Sequence, residues 1–166
     1  NKWIPIETGE VQVMSAGSGV QHSEMNNSLT DPINLFQIWI IPNKLQVEPR
    51  YDQKKFEASE RKNKLQVLVS SIDEITNGSL KIHQDAQISR IDLNENSNFR
   101  YKLKSENHGV YVMVIEGSIS LQNAVLNKRD AIGIEQAIEF ELLATKKTEL
   151  LFIIAKEKYQ ITDRDF

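Results

Sequence analysis

Short segments in which hydrophobic and polar residues alternate make up most of the chain. In an extended strand, successive side chains point to opposite faces, so a period of two predicts a strand with one buried face. Four segments show this alternation: 11–15, 79–93, 111–122 and 139–155, the last as two strands joined at 145–148. Turn-forming residues separate them, as in NNSLTDP, TNGS, NENSN and ENHG. The pattern predicts an all-β sandwich or barrel.

One segment, residues 35–41 (LFQIWII), is hydrophobic almost throughout and ends at Pro42. Apolar runs of this length are typical of strands that are buried on both faces. We therefore predict a well-buried strand here. The odd spacing of Phe36 and Trp39 would place their side chains on opposite faces of that strand.

The polar segment 52–64, DQKKFEASERKNK, is the only candidate helix, and its polarity favours a solvated short helix or a connecting loop. Together with the two prolines in 42–64, it predicts a connection between two β units. We assign residues 1–64 to the first unit with its connector, 65–160 to the second unit and 161–166 to a polar tail.

Composition narrows the functional classes. The 166 residues are 40% hydrophobic and 26% charged, as in globular proteins. The net charge is −3 and the basic residues form no continuous patch, which argues against nucleic-acid binding by charge. No apolar run approaches the roughly 18 residues of a membrane-spanning helix, so no membrane partner is expected. The sequence has no cysteine for disulfides or thiolate metal sites. A cytoplasmic location is the default expectation, which an upstream signal peptide would change.

The stretch with the most distinctive chemistry is 9–26, GEVQVMSAGSGVQHSEMN. It places His22 two residues before Glu24, just after a glycine-rich bend. In an extended chain, residues at this spacing point to the same side and suit a common metal ion. A hydrogen-bonded polar pair near a turn is the structural alternative. We expect Gly17 and Gly19 to adopt positive φ in the bend.

The same stretch resembles the second motif of the cupin fold, through Gly9, Gly17, His22 and Asn26. Serine stands in place of the motif's proline, and the gap before the histidine is two residues longer. These departures are typical of pirins and pirin-like bicupins, whose equivalent stretch is similar to GEVQVMSAGSGVQHSE. The segments LFQIWIIP, PRYDQKKF and NGSLKIHQD also resemble bacterial pirin-like proteins related to quercetin 2,3-dioxygenase.

This resemblance implies an all-β bicupin, which is a pair of associated jelly-roll barrels, with the first barrel incomplete in this sequence. It implies one divalent metal ion in the amino-terminal cupin, with iron foremost and nickel, manganese, copper, zinc or cobalt as other options. His22 and Glu24 would be two of its ligands. The family's other two ligands, histidines from a His-x-His motif, are expected upstream of Asn1 and are not in this sequence. A chain that truly starts at Asn1 is expected to hold no metal.

The sequence contains two further histidines, and neither has a second donor at cupin spacing. We expect His83 to be hydrogen-bonded at an interface and His108, beside a turn glycine, to be exposed. The carboxy-terminal cupin is therefore expected to lack a metal. Arg50 is a candidate buried partner for a carboxylate, whereas Tyr51 and Phe56 resemble interdomain packing residues of the family.

Three functions follow from the resemblance. The first is a metal-dependent dioxygenase of the quercetinase type, which opens a flavonol-like aromatic enol with dioxygen and uses Glu24 as the general base. The second is a regulatory protein whose metal or redox state tunes a protein-binding surface. The third is a degenerate bicupin without metal.

Overall fold

The computed structural model describes residues 3–156 of the chain. Twelve strands and one turn of 3-10 helix, Ala58–Arg61, account for its regular structure. The strands, in chain order, are β1 Glu10–Ser15, β2 Arg50–Lys55, β3 Gln66–Ser71, β4 Leu80–Ile82, β5 Ala86–Leu93, β6 Asn98–Lys102, β7 His108–Glu116, β8 Ser118–Leu121, β9 Ala124–Asn127, β10 Ala131–Ile134, β11 Glu139–Ala144 and β12 Thr148–Lys156. The all-β prediction is confirmed, and no helix in residues 3–156 is long and apolar enough to cross a membrane.

Strands β3 to β12 form a barrel of two facing sheets. The larger sheet has six strands in the order β10-β7-β12-β5-β3-β4, and the smaller has four in the order β6-β11-β8-β9. The prediction of two strands within 139–155 is confirmed. However, β11 belongs to the smaller sheet and β12 to the larger, so residues 145–147 cross between sheets instead of closing a hairpin.

Aromatic side chains fill the space between the two sheets. Phe152, on the central strand β12, is completely buried, and its ring centroid lies 5.6–6.4 Å from those of Phe99, Tyr101 and Phe140. Aliphatic residues of both sheets surround this cluster: Ile91, Leu93, Leu103, Val110, Val112, Val114, Ile119, Leu121, Leu126, Leu142, Leu150 and Ile154. Interiors of this kind are close-packed, and burial of the apolar surface is the main stabilising contribution.

The amino-terminal part contributes a two-stranded antiparallel sheet, β1 with β2. The prediction of a short helix or a connecting loop at 52–64 is wrong for residues 52–55, because residues 50–55 pair with β1 along the whole length of both strands. The ladder satisfies the backbone groups that a helix would otherwise have to satisfy. Only residues 58–61 turn helically.

One face of this small sheet packs on the barrel. Val13 of β1 and Phe56, which follows β2, contact Leu68, Val69 and Leu80 in a second buried apolar cluster. The amino-terminal sheet is therefore anchored to β3 and β4 by hydrophobic contact. Phe56 is a packing residue, as predicted.

The predicted buried strand at 35–41 is wrong. Residues 35–41 lie outside any strand, and the side chains of Trp39 and Ile41 are 86% and 75% exposed. A buried strand needs neighbours that accept its backbone hydrogen bonds and cover both faces. Within residues 3–156 no strand pairs with this segment.

Candidate metal centre

His22 and Glu24 lie in the irregular segment that follows β1, and both side chains are exposed. β1 ends at Ser15, so neither residue belongs to a strand, and the alternation of a regular strand does not set their directions. The Glu24 side chain contacts β1.

That contact is a hydrogen bond in which Gln12 Nε2 donates to Glu24 Oε1 over 2.6 Å. Gln12 is directly opposite Gln53 in the β1–β2 ladder, so both side chains leave the same face of the sheet. Gln53 in turn donates to Glu10 Oε2 over 2.8 Å. This face, which is opposite to the buried Val13 side chain, therefore carries a polar network around Gln53 and, beside it, the hydrogen bond between Gln12 and the Glu24 carboxylate.

Tyr51 belongs to the same face, opposite Met14, and donates its hydroxyl hydrogen bond to Gln53 Oε1. Partial burial, followed by the negative charges of Glu10 and Glu24, raises the pKa of Tyr51 above its ordinary value. Tyr51 therefore stays protonated at neutral pH beside the two carboxylates. Sequence reasoning assigned Tyr51 to packing alone and did not find this network, although the period of two in β1 and β2 contains its signal.

The glycine-rich bend behaves as predicted. Gly17 has φ +53° and Gly19 has φ +131°, a range that side chains with a Cβ rarely adopt. A Cβ on Gly17 would lie 1.9 Å from the carbonyl oxygen of Val47, so the bend packs directly on the backbone that leads into β2. Glycine at 17 thus positions the segment carrying His22 and Glu24.

The donor types at this site fit a divalent transition metal, since imidazole and carboxylate are common ligands of iron, manganese and nickel. The number of donors does not fit. Within residues 3–156 no group of three or more His, Cys, Asp or Glu side chains is placed to hold a metal ion. The described residues supply at most two ligands, which is too few for a complete site.

His83 is half-buried, and its backbone carbonyl accepts a hydrogen bond from Asn43 N over 2.8 Å. This backbone contact links the end of β4 to the segment preceding β2. The predicted hydrogen bond of the His83 side chain at an interface stays a prediction.

His108 is buried, so the prediction of exposure is wrong. Its Nδ1 lies 2.9 Å from Ser105 Oγ, and its Nε2 lies 3.4 Å from Asp85 Oδ2. The signal was available in the sequence, because His108 begins β7 in phase with the buried Val110 and Val112. The turn motif ENHG, which contains His108, favoured an exposed position instead.

Among the residues that the structure describes, Arg50 pairs with no carboxylate. Its guanidinium donates to the backbone carbonyl of Lys81 in β4, and its Nε is buried without a hydrogen-bond partner in residues 3–156. The side chain therefore ties β2 to the barrel, which is a structural role, as expected, but with a different partner.

Comparison with known protein families gives two matches that together span most of the chain. The model described as quercetinase C-terminal cupin domain matches residues 67–153, and the model described as pirin matches residues 3–40.

Individual relatives agree with these matches. The chain is 37% identical over 135 residues to the quercetin 2,3-dioxygenase of Escherichia coli K12, covering 80% of this chain and 56% of that protein. It is 31% identical over 147 residues to a pirin-like protein of Caulobacter vibrioides, covering 89% of this chain and 62% of that protein. A crystal structure of a bacterial pirin from Escherichia coli in complex with nickel(II) superposes with a TM-score of 0.81 at 29% identity, covering 90% of this chain and 62% of that one.

The chain spans 56–64% of the length of the first curated relatives that it matches. The two-sheet barrel and the amino-terminal sheet packed on it agree with the bicupin structure of the bacterial pirin. Because the family matches cover both parts and one of them alone exceeds half of the chain, the chain belongs to the pirin family of quercetinase-related bicupins.

Proposed function

We propose that this chain is part of a metal-dependent dioxygenase of the quercetinase type, with its metal in the amino-terminal cupin. The observation that carries the proposal is the segment 9–26, in which Gln12 holds Glu24 two residues from His22. The relative named quercetin 2,3-dioxygenase and the nickel(II) complex of a bacterial pirin support it.

In this proposal His22 Nε2 or Nδ1 and the Glu24 carboxylate are two ligands of a divalent ion, and iron remains the expected metal. When bound, such an ion supplies Lewis-acid and redox chemistry toward an enol and dioxygen. The proposal requires two further donors from outside residues 3–156, since the described residues lack a third.

Glu24 has a second proposed role, as the base that takes the proton of the substrate's hydroxyl group. Its Oε1 is engaged by Gln12, while its Oε2 has no hydrogen-bond partner among the described residues. The amide therefore fixes the carboxylate and leaves one oxygen for the proton. Gln12 acts as a positioning residue, because it touches Glu24 and not the substrate.

Oxygen uptake with quercetin, in protein expressed from its native gene, tests the proposal. We expect uptake to depend on added Fe²⁺ or Ni²⁺, and we expect His22→Ala to abolish it and Glu24→Gln to lower it at least about 100-fold. His83→Ala is the matched control, since it also removes one histidine, and it should leave uptake unchanged. Full metal loading without uptake, or uptake that survives His22→Ala, would reject the proposal and favour a regulatory role.

A further inference from the structure

The loop between β3 and β4 carries an asparagine followed by a glycine at its tip. Asn77 and Gly78, in the turn sequence TNGS, are both exposed. Gly78 has φ +80°, a left-handed value that glycine adopts at no steric cost. Because Gly78 has no side chain, nothing of its own blocks the approach of the Asn77 side chain to the Gly78 backbone nitrogen.

Hydrogen bonds hold the residues on both sides of this tip, but not the Gly78 N–H. Thr76 N donates to Glu74 O over 3.0 Å, and Ser79 Oγ donates to Thr76 O over 3.1 Å. Within residues 3–156, the Gly78 N–H donates to no acceptor. The nitrogen can therefore lose its proton to the solvent without first breaking a hydrogen bond.

Asn96, in the turn between β5 and β6, provides a contrast. It precedes a serine, and Ser97 N donates to Asn94 O over 3.3 Å. The nitrogen that follows Asn96 is therefore engaged, and it must leave its acceptor before it can react. Residues 77–78 are the only Asn-Gly pair in the sequence, and they combine the smallest possible neighbour with an unengaged amide.

We propose that Asn77 is a site of spontaneous deamidation. The Gly78 nitrogen, once it has lost its proton to hydroxide, attacks Cγ of Asn77, so that a C–N bond forms and the bond from Cγ to Nδ2 breaks. Nδ2 takes up a proton from water and leaves as ammonia. One water molecule then opens the resulting succinimide ring at either of its two carbonyls, which gives aspartate or isoaspartate. The reaction needs no oxidant, reductant or cofactor, and it does not depend on the proposed dioxygenase function.

This modification changes a loop that the amino-terminal sheet contacts. Lys54 of β2 donates a hydrogen bond to the carbonyl of Gly78, and its Nζ lies 5.3 Å from the ring centroid of Phe56. Deamidation adds a negative charge one residue before the carbonyl that Lys54 contacts. The isoaspartate product also lengthens the backbone of the loop by one carbon atom.

Peptide mapping of the folded chain during incubation in mildly alkaline buffer tests this proposal. Trypsin releases Asn77 in the peptide 65–81 and Asn96 in the peptide 91–100, so one digest follows both sites. We expect the peptide 65–81 to separate into asparagine, aspartate and isoaspartate forms, the last two heavier by the difference between OH and NH₂. We expect conversion at Asn77 to be at least about tenfold faster than at Asn96, where a hydrogen bond must break first.

The variant Asn77→Gln should abolish conversion in the peptide 65–81, because its longer side chain would have to close a larger ring. The matched control Asn96→Gln should leave conversion at Asn77 unchanged. A synthetic peptide 65–81 gives the rate without the fold, and the folded chain should convert within about tenfold of that rate, since no hydrogen bond protects the Gly78 amide. Slower conversion than this, equal conversion at Asn77 and Asn96, or isoaspartate that persists in Asn77→Gln would each overturn the proposal.

Discussion

The carboxy-terminal barrel and the segment 16–46 are both rich in hydrophobic residues, yet they differ completely in burial. In the barrel, Phe152, Leu150 and Val112 are fully inaccessible to solvent. In residues 16–46 no side chain is fully buried and no strand forms. This difference shows that an apolar sequence pattern forms a buried strand only where a partner strand and a covering sheet are present.

Segment 16–46 carries several large apolar side chains that are exposed to solvent. Leu35, Phe36, Trp39, Ile41 and Leu45 are all exposed. The segment also carries His22 and Glu24. The proposed metal ligands therefore lie in a region that has no buried side chain and no strand.

The strongest test of the difference in burial between the two regions is to truncate one aromatic side chain in each. Phe152→Ala removes a fully buried ring from the centre of the aromatic cluster and should lower the free energy of unfolding by about 3–5 kcal/mol. Trp39→Ala removes a larger ring that is 86% exposed and should change it by less than about 0.5 kcal/mol.

Urea-induced unfolding, followed by the tyrosine signal of the barrel, measures both values. Similar losses in the two variants would contradict the comparison, because Trp39 would then be packed in the folded protein. A Phe152→Leu variant keeps most of the volume and should lose less than Phe152→Ala, which separates cavity formation from misfolding.

A second, smaller effect tests the ion pair that joins the 3-10 helix to the barrel. Arg61 Nε lies 2.9–3.0 Å from both carboxylate oxygens of Asp92 in β5, and both side chains are largely buried. Arg61→Ala leaves the Asp92 carboxylate without its partner and should lower the free energy of unfolding by about 1–2 kcal/mol.

The matched control is Lys128→Ala, which breaks the 2.6 Å pair of Lys128 with Glu116 where both side chains are half-exposed. Since exposed ion pairs contribute little to stability, we expect Lys128→Ala to lower the free energy of unfolding by less than about 0.5 kcal/mol. Equal losses for the two variants in thermal unfolding would show that burial does not distinguish these pairs.

The smallest effect is a change in the alkaline pH dependence of stability. Burial raises the pKa of Tyr101 above its ordinary value, so the folded barrel keeps the phenol protonated at pH values where the unfolded chain has lost the proton. Stability should therefore be unaffected by this group below about pH 10 and should fall as pH rises above it, by at most about 1.4 kcal/mol per pH unit.

Tyr101→Phe should flatten this decline, measured by urea unfolding between pH 9 and 11. Tyr51→Phe is the control for the exposed amino-terminal sheet, and its effect on the slope should be smaller, because Tyr51 is 39% exposed. An unchanged slope in Tyr101→Phe would contradict the account of its burial.

Local patterning was enough to predict the three central strands of the barrel's larger sheet, one strand of its smaller sheet and one strand of the amino-terminal sheet. Alternation identified β1, β5, β7 and both strands of 139–155, and the glycine spacing identified the bend at Gly17. The failures at 35–41 and 52–64 have one cause, which is that pairing depends on residues distant in sequence. The hydrogen bond from Gln12 to Glu24 and the burial of His108 also depend on the fold. The division of the chain at residues 64 and 160 and the roles of His22 and Glu24 stay predictions.

The most direct test of the central claim, that His22 and Glu24 bind the metal and the carboxy-terminal barrel does not, is paramagnetic broadening of ¹⁵N-amide signals by substoichiometric Mn²⁺. Broadening detects even a weak site of two donors in this chain. We predict loss of signals centred on residues 20–26 and on Gln12, abolished by His22→Ala and retained in His83→Ala. Broadening centred on His83 or on the barrel, or unchanged by His22→Ala, would contradict the account.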